Sequence, residues 1–170
     1  MPAGSREPRF IADCMLGRLA KWLRVLGCDV AYDSRISDDA LIARSRREGR
    51  AILTRDTRLV MRRTLRGGGA PAPILIESDQ PEEQLIEMVK RHGLDLRPEQ
   101  LLSRCLRCNE PTHDVAPDAV RDLVPVYVFQ TQKKFSRCPA CGRIYWRATH
   151  VESMVRRLGR GMPPPAGEGP

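Results

Sequence analysis

Acidic side chains recur in this sequence where apolar runs end and where a helical pattern begins. The residues at these positions are Asp13, Asp38, Asp39 and Asp56. Asp13 follows the apolar run at 10–12, and Asp56 closely follows the run at 51–54. If both runs are strands of one parallel sheet, their carboxyl ends lie at the same edge, where open α/β sheets bind ligands. The sequence therefore predicts a cluster of carboxylates at that edge.

Carboxylates clustered in this way suit metal-dependent hydrolysis of phosphodiesters. Hard cations such as Mg²⁺ and Mn²⁺ take oxygen ligands, and they activate water and neutralise charge that builds on a phosphate. Glu77 or Asp79, just after a further apolar run, is a candidate for a fourth acid. Structural roles are the alternative, because Asp38 and Asp39 would favour a helix N-terminus and Asp56 could cap the following helix.

Two common nucleotide-binding motifs are missing from the sequence. The first apolar run is followed by Asp-Cys-Met-Leu-Gly at 13–17 and not by G-x-G-x-x-G, which argues against a dinucleotide site. No G-x-x-x-x-G-K-[ST] motif is present either, which excludes a P-loop.

The elements that must position these acids follow from apolar periodicity and from capping residues. A helical repeat of leucine and alanine follows Asp13, and Ser37 and Gly49 are expected to cap the ends of the next helix. The predicted strands lie at 10–13, 30–32, 51–54 and 74–76, and the predicted helices at 16–26, 38–48, 57–65 and 81–92. Beyond these, strands are expected at 124–130 and 143–146, and a helix at 150–158. Strands that alternate with helices predict a mostly parallel sheet.

Four of the six cysteines form two Cys-x-x-Cys pairs, which predict a structural zinc site. The ligands would be Cys105, Cys108, Cys138 and Cys141. Two such pairs supply the four thiolates of a closed tetrahedral site, and the 29 residues between the pairs leave room for the hairpin of a zinc ribbon. Redox-active Cys-x-x-Cys motifs are the alternative, but neither pair opens a helix after a strand. Cys14 and Cys28 are expected to be small buried residues.

Charge and composition indicate a polyanion partner and a cytoplasmic location. The formal net charge is +8, with 29 basic and 21 acidic residues, which favours nucleic acid. The alternative is a solvated basic surface without a ligand. Hydrophobic residues make up 41% of the chain, enough for a core, but no run is long enough to cross a membrane. The first ten residues lack the apolar segment of a secretion signal.

Three stretches of the chain resemble a known family. Residues 13–27, DCMLGRLAKWLRVLG, resemble the opening motif of the PIN-like RNase domain family named for the C-terminus of the nematode mutator exoribonuclease. Residues 53–56, LTRD, are similar to the second motif of that family. The segments SRCLRCN at 103–109 and CPACGRIYW at 138–146 look like its zinc-ribbon signature. The resemblance covers residues 9–158.

The resemblance implies a PIN-like nuclease domain, a C-terminal zinc ribbon and RNA as substrate. The family's acidic positions fall on Asp13, on the Asp38–Asp39 pair and on Asp56, with Asp13 and Asp56 as the expected Mg²⁺ or Mn²⁺ ligands. RNA-binding residues are expected at Arg18, Lys21, Trp22, Arg55 and Arg58. The predicted organisation is a leader at 1–8, the nuclease domain at 9–100, the ribbon at 101–158 and a disordered tail at 159–170.

The predicted function is therefore hydrolysis of RNA, with a structured RNA such as tRNA or ribosomal RNA as target. A non-catalytic RNA- or ribosome-binding adaptor on the same fold is the main alternative. A toxin of a toxin–antitoxin pair is a third interpretation, which growth arrest on expression would indicate.

Overall fold

The structure is a computed structural model that describes residues 8–62, 65, 69–147 and 149–159. The predicted leader at 1–8 and tail at 159–170 fall almost entirely outside these residues. No helix within the described ranges is both long and apolar enough to cross a membrane.

A four-stranded parallel sheet forms the centre of the N-terminal part. Its strands are β1 (Arg9–Ala12), β2 (Asp29–Tyr32), β3 (Ala51–Thr54) and β4 (Ile74–Leu75). They lie in the order β2-β1-β3-β4, and every neighbouring pair is parallel. The carboxyl ends of all four strands therefore share one edge, as the sequence predicted.

Alternation along the strands divides the core into two clusters, one on each face of the sheet. Phe10 and Ala12 of β1 point into one cluster, together with Leu53 of β3. Ile11 and its neighbour Ile52 point into the other. This two-residue period is the one that a strand dictates. Both faces are thus buried, which is typical of parallel sheets.

Four helices cover these faces. They are α1 (Gly17–Val25), α2 (Asp38–Glu48), α3 (Thr57–Met61) and α4 (Pro81–His92). Leucines of α1 and α4 pack into the first cluster, whereas Leu41 of α2 and Leu59 of α3 pack into the second. Each fully buried leucine contributes roughly 1.5–3 kcal/mol relative to an exposed one. The predicted fold class, a parallel α/β sheet flanked by helices, is confirmed.

Local signals define the bounds of α2, which match the prediction. Ser37 Oγ accepts a hydrogen bond from the backbone N–H of Ala40 at 3.4 Å, which caps the N-terminus. Gly49 ends the helix at φ 63°, in the left-handed region that glycine adopts without strain. Asp38 and Asp39 in the first turn complement the helix dipole.

The C-terminal part contains a small antiparallel sheet and two helices. Its elements are β5 (His113–Val115), α5 (Val126–Thr131), β6 (Phe135–Arg137), β7 (Ile144–Tyr145) and α6 (Thr149–Gly159). The strand order is β5-β6-β7. Both cysteine pairs flank this sheet, and the arrangement fits the predicted zinc ribbon.

The strand predicted at 124–130 is wrong, because residues 126–131 form helix α5. Valine and tyrosine at these positions favour strands intrinsically, but Val120, Val124 and Val128 are all buried in one cluster. Of these three, only Val128 belongs to the helix, and Pro125 stands at its N-cap. Burial of Val128 against Val120 and Val124, which precede the helix, is a tertiary contact that favours this conformation.

The two parts of the chain share one hydrophobic cluster. Val151 and Leu158 of α6 are buried in the same cluster as Leu19 and Leu23 of α1. Leu102, at the start of the C-terminal part, is buried there as well and donates its backbone N–H to the carbonyl of Val25 at 2.8 Å. The ribbon is thus packed onto α1.

Candidate active site and metal centre

Two of the predicted acids meet at the carboxyl edge through one threonine. The Thr54 hydroxyl donates to Asp13 Oδ2 at 2.8 Å and accepts from the backbone N–H of Asp56 at 3.0 Å. Asp13 is 7% exposed and Thr54 is fully buried. β1 and β3 are adjacent in the sheet, so the residues that follow their last positions are neighbours. The Thr54 hydroxyl thus links the Asp13 carboxylate to the backbone of Asp56.

Each of these two carboxylates is also held by a backbone N–H group. Asp13 Oδ1 accepts from Cys14 at 2.6 Å, at the start of a 3₁₀ turn that precedes α1. Asp56 Oδ1 accepts from Arg58 at 2.7 Å and caps α3. The capping role proposed as the alternative for Asp56 is therefore present, yet its second oxygen keeps its lone pairs for another ligand.

Tyr32 supports the turn that follows Asp13. Its hydroxyl donates to the carbonyl oxygen of Cys14 at 2.9 Å. A Cβ at Gly17 would lie 2.6 Å from the Tyr32 hydroxyl oxygen, so only glycine fits this position without displacement. The pKa of Tyr32 is raised by burial and by the negative charges of Cys14, Asp33 and Asp13. The tyrosine therefore stays protonated and keeps this donor.

Asp33 is an acid of this edge that the sequence analysis missed. It follows the last residue of β2 just as Asp13 follows the last residue of β1, and that position in the sequence could have identified it. It is exposed, and its Oδ1 accepts from the backbone N–H of Arg35 at 2.9 Å. The edge is consequently acidic. A hydrogen bond to Asp13, burial, and the negative charges of Asp13 and Asp38 raise the pKa of the Cys14 thiol.

Cys14 is exposed rather than buried, which corrects the expectation for this residue. The chain turns outward directly after Asp13, so the side chain of the next residue faces solvent. Cys28 is half-buried and packs against the cluster around α1.

The predicted pair at the start of α2 is bound by an arginine. Asp38 Oδ2 accepts from Arg62 Nη2 at 2.9 Å, and Asp39 Oδ1 accepts from Arg62 Nη1 at 2.8 Å. The side chains are 43% and 93% exposed, respectively, and such surface pairs contribute little to stability. A ligand that needed either carboxylate would compete with a single exposed guanidinium.

The two candidates for a fourth acid lie beyond β4. Glu77 forms an ion pair with Arg91 at 2.7 Å, and exposed Asp79 accepts from Gln80 Nε2 at 3.3 Å. Buried Glu87 organises this loop, because its carboxylate accepts from the backbone N–H groups of Glu77 and Ser78. The position of a fourth acidic ligand stays a prediction.

The predicted RNA-binding residues differ in how far they are exposed. Arg18 and Lys21 on α1 are exposed, as is Arg58 on α3. Trp22 is half-buried. Arg55 is half-buried too, and its Nε is buried with no hydrogen-bond partner in the part of the chain that the structure describes. An unsatisfied guanidinium nitrogen beside Asp56 is a donor that an incoming anion could use.

The four cysteines of the C-terminal part form the clearest metal site. The ligand atoms of Cys105, Cys108, Cys138 and Cys141 all lie within 4.8 Å of one another. Cys105 and Cys138 are buried, and the other two are half-buried. Four sulfurs at this separation fit a closed tetrahedral zinc site, which has no position left for a substrate. The site therefore fits a structural ion.

The two cysteine turns have the same backbone geometry. In the first, Cys105 N donates to Glu110 O and Asn109 N donates to Cys105 O. In the second, Cys138 N donates to Arg143 O and Gly142 N donates to Cys138 O. Asn109 at φ 66° and Gly142 at φ 73° are both left-handed. Asparagine and glycine are the residues that adopt this conformation most readily, which explains their place after each pair.

The surroundings of Cys105 favour its thiolate form. Burial opposes the thiolate, but hydrogen bonds from the Tyr145 hydroxyl and from the backbone N–H groups of Cys108 and Arg107 outweigh burial and lower its pKa to about 6. Tyr145 Oη lies 3.1 Å from Cys105 Sγ and accepts from Leu106 N at 3.1 Å. Thiolates are the form that binds zinc, so this arrangement favours metal binding.

Buried Arg24 connects the first cysteine turn to the parallel sheet. Its guanidinium donates to the carbonyl oxygens of Val30, Leu106 and Arg107 at 2.8–3.2 Å. Burial lowers the pKa of Arg24, and the negative charge of Cys105 acts against this. Asn109 completes the connection, because its Oδ1 accepts from Val30 N at 2.9 Å. Neither contact was predicted from the sequence.

The described carboxylates do not form a compact three-ligand site on their own. Among the described residues, the four cysteines are the one group of three or more His, Cys, Asp or Glu side chains whose ligand atoms all lie within 4.8 Å. At the carboxyl edge, Asp13 and Asp56 offer two carboxylates with cations beside them. Such a pair suits a Mg²⁺ ion that keeps several waters and also binds a substrate phosphate.

Comparison with known families gives one match. The family model described as the Mut7-C RNAse domain matches residues 8–158. The matched range includes the parallel sheet, the carboxyl edge and both cysteine turns. The curated proteins contain no match to the chain.

Proposed function

Because the chain belongs to the Mut7-C RNAse domain family, which indicates a ribonuclease-type function, we propose that it hydrolyses RNA phosphodiester bonds with a divalent cation. The observation that carries this proposal is the Thr54 hydroxyl shared by Asp13 and Asp56 at the carboxyl edge. It joins the carboxylate of Asp13 to the backbone of Asp56, so two residues that follow different strands are held in a fixed relation, as the ligands of a metal site must be.

In this proposal each residue has a separate task. Asp13 and Asp56 hold the cation, and Asp38 or Asp39 adds a ligand or positions water after release from Arg62. A Mg²⁺ or Mn²⁺ ion there would supply a Lewis acid and a bound water of lowered pKa. Arg18, Lys21, Arg55 and Arg58 neutralise the phosphates on either side of the scissile bond. The zinc ribbon docks a structured RNA such as tRNA or ribosomal RNA, in the cytoplasm.

The unpaired Arg55 Nε supports this assignment of the cations. A buried guanidinium nitrogen without a partner is unfavourable by roughly 1–3 kcal/mol, and a phosphate oxygen would relieve this. Arg55 directly precedes Asp56 in the chain. Its side chain lines the cleft beyond β4 together with Lys90 and Arg91, so a phosphate bound there would lie on the β4 side of Asp56.

A cleavage assay with matched variants tests the proposal. Zinc-loaded protein is incubated with total RNA in Mg²⁺ or Mn²⁺, beside Asp13→Asn, Asp56→Asn and Asp122→Asn. Asp122 is an exposed aspartate of the ribbon and serves as the control. We expect cleavage by the wild type and the control, and a loss of about 100-fold or more in the two edge variants. Equal cleavage by all four proteins would remove the proposed role of the edge.

One observation favours the adaptor interpretation. Arg62 occupies both carboxylates at the start of α2, which leaves fewer acids for a metal than a two-metal nuclease needs. An adaptor would bind RNA without cutting it, and Asp13→Asn would not change its affinity. Titration with Mn²⁺, followed by paramagnetic broadening of resonances near Asp13 and Asp56, separates the two functions. An adaptor should show no saturable broadening there.

A further inference from the structure

A groove lies between α1 and the ribbon, separate from the carboxyl edge. Its volume is about 560 Å³, which is large enough for a nucleoside. We call it the α1–ribbon groove. The residues that line it are Arg18, Lys21, Trp22, Val25, Leu102, Leu106, Ile144, Tyr145, Trp146 and Val151.

The lining of the α1–ribbon groove combines aromatic rings, an apolar floor and two cations. Trp22 comes from α1, whereas Trp146 directly follows β7, so each module contributes an indole. Both indoles are half-buried and pack against core clusters, which holds the rings in place. Exposed Arg18 and Lys21 supply positive charge at the α1 side. Flat apolar surfaces beside cations suit a base joined to a phosphate.

Charge distinguishes this groove from the other clefts. None of the described residues that line it is acidic. Four other clefts in the described part of the chain each contain carboxylates, such as Asp29, Glu82, Glu77 and Asp114. In those clefts the carboxylates offset the cations that also line them, whereas the described lining of this groove has two cations and no carboxylate, which favours a polyanion here.

The groove also lies next to the proposed active site along α1. Asp13 is separated from α1 by one 3₁₀ turn, and Arg18 lies in the first turn of the helix. Trp22 is one helical turn further, about 6 Å along the axis from Arg18. Consecutive stacked nucleotides are about 3.4 Å apart, so one or two nucleotides span that distance. A strand leaving the carboxyl edge along α1 would therefore enter the groove.

We propose that the α1–ribbon groove binds an unpaired nucleotide of the RNA, with its base against Trp22 and Trp146 and its phosphate on Arg18 and Lys21. A paired base cannot enter such a pocket, so the substrate must be single-stranded where it leaves the carboxyl edge. This inference rests on the proposed function and adds the substrate class to it. The ribbon contributes directly, because Tyr145 and Trp146 form one wall.

The sequence provides its own probe for this proposal. The chain contains two tryptophans, Trp22 and Trp146, and both line the groove. Each tryptophan also borders one further cleft, so the Trp22→Leu and Trp146→Leu variants, which separate the two emissions, show whether both rings respond to the ligand. The titrations use the zinc-loaded, full-length protein with both Asp13→Asn and Asp56→Asn. This double variant should leave the RNA intact during the titration.

The experiment titrates this protein with single-stranded oligouridylate and, separately, with the same strand annealed to oligoadenylate. Anisotropy of a labelled strand measures binding independently. We expect the single strand to change tryptophan emission with the same Kd that anisotropy gives, and the duplex to bind at least about 10-fold more weakly. Removal of one stacking ring by Trp22→Leu or Trp146→Leu should weaken binding about 5- to 150-fold.

Charge-matched double variants complete the test. Arg18→Ala with Lys21→Ala removes both groove cations, and the slope of log Kd against log salt should fall by about 1.4. Lys90→Ala with Lys133→Ala removes the same charge at two exposed positions outside the groove and should leave the slope unchanged. All four positions are exposed on the surface, so these variants should fold.

Three results would overturn the inference: RNA that binds by anisotropy without changing tryptophan emission, no RNA binding at all, or equal affinity for duplex and single strand. An emission change produced by an apolar peptide but not by RNA would assign the groove to a protein partner instead. The cleavage assay with wild-type protein is independent of these outcomes. Cleavage without an emission change would contradict nucleotide binding in the groove and leave the nuclease proposal intact. An emission change without cleavage would contradict the nuclease proposal and leave nucleotide binding in the groove intact.

Discussion

At the scale of single residues, the carboxyl edge depends on one hydroxyl group. Thr54 has a single hydrogen to donate, and the structure gives it to Asp13. The same oxygen accepts from the backbone of Asp56, so the hydroxyl fixes both the direction of one carboxylate and the start of the loop that carries the other. Because Thr54 is fully buried, in the proposed site it would act through the acids it positions.

Substitution of Thr54 should therefore change the position of the Asp13 carboxylate without removing the carboxylate itself. Thr54→Val keeps the shape but removes the hydrogen bond to Asp13, and we expect RNA cleavage to fall about 10- to 100-fold. Thr54→Ser keeps the hydroxyl and should retain most of the activity. The measurement is the initial rate at several Mn²⁺ concentrations, since a misplaced Asp13 should also raise the metal concentration needed. Equal rates for Val and Ser would show that the hydroxyl has no positioning role.

Acid sensitivity should arise in part at Asp29, at the other end of the sheet. Burial opposes ionisation of Asp29, but hydrogen bonds from Arg50 and Asn109 outweigh burial and lower its pKa to about 2, from an ordinary value of 3.8. A depressed pKa contributes stability that is complete above pH 3.8 and is lost as the pH falls through about 2.

Urea unfolding of wild type and Asp29→Asn at several pH values checks this dependence. We expect wild type to be more stable above about pH 4, and the difference to shrink steadily between pH 4 and pH 2. Asp95→Asn is the control, because Asp95 is an exposed loop residue. A difference that stayed constant down to pH 2 would contradict the role assigned to the Asp29 charge.

Site residues were predictable where a local pattern fixes them. The place of Asp13 and Asp56 at the carboxyl edge could be predicted from strands that end in a parallel sheet, and the cysteine cluster from its specific spacing; the role of the two acids stays a prediction. The link through Thr54 and the binding of Asp38 and Asp39 by Arg62 could not be predicted. Both contacts join side chains of residues more than twenty positions apart. The directions of those side chains cannot be deduced from the periodicity of apolar residues.

At the scale of elements, the first cysteine turn is attached to β2 by two side chains. Arg24 gives its donors to Val30, Leu106 and Arg107, and Asn109 accepts from Val30. Arg24 is 6% exposed, so its charge is stabilised mainly by carbonyl oxygens and by the negative cysteine site. Because Arg24 lies on α1, the attachment couples the orientation of α1 to the conformation of the first cysteine turn.

Replacement of Arg24 should weaken that attachment. Arg24→Met keeps most of the volume but leaves several buried carbonyl oxygens without a donor, which should destabilise the fold by about 2–4 kcal/mol. Arg18→Ala on the same helix is the control, because Arg18 is exposed and should change the free energy of unfolding by less than about 0.5 kcal/mol. Chemical denaturation followed by circular dichroism measures both. Similar stabilities for the two variants would contradict the proposed coupling.

Most elements could be predicted because burial and local preference agree. The bounds of α2, β3 and α4 match the sequence analysis, since caps, apolar spacing and a first-turn proline all point the same way. Helix α5 could not be predicted from its strand-favouring residues alone. Val128 is buried against Val120 and Val124, which precede the helix, and such a tertiary contact cannot be read from the strand-favouring residues of 126–131.

At the scale of the whole molecule, the predicted nuclease domain and ribbon are not independent bodies. Side chains from both fill the cluster around α1, and α6 returns from the ribbon to complete it. The division at residue 100 remains a prediction from composition. Because the cluster crosses that division, metal binding should affect the stability of both parts.

Removal of zinc should consequently lower the stability of the entire fold. We expect a chelator, or Cys138→Ser, to reduce the melting temperature, and the helical and tertiary signals to be lost in one transition. Cys28→Ser is the matched control, because Cys28 is half-buried outside the metal site and its variant should respond to chelation as wild type does. Two separated transitions, with the α/β part unaffected by the chelator, would contradict this.

Strand β2 lies at the edge of the parallel sheet, and the outward backbone groups of its residue Val30 are already used. The N–H of Val30 donates to Asn109, and its carbonyl oxygen accepts from Arg24. An open edge of this kind can recruit a strand from another molecule and begin aggregation. The cysteine turn thus acts as a cover against such association. Metal-depleted protein, in which the cover is released, should form intermolecular β-structure at concentrations that the zinc-loaded protein tolerates.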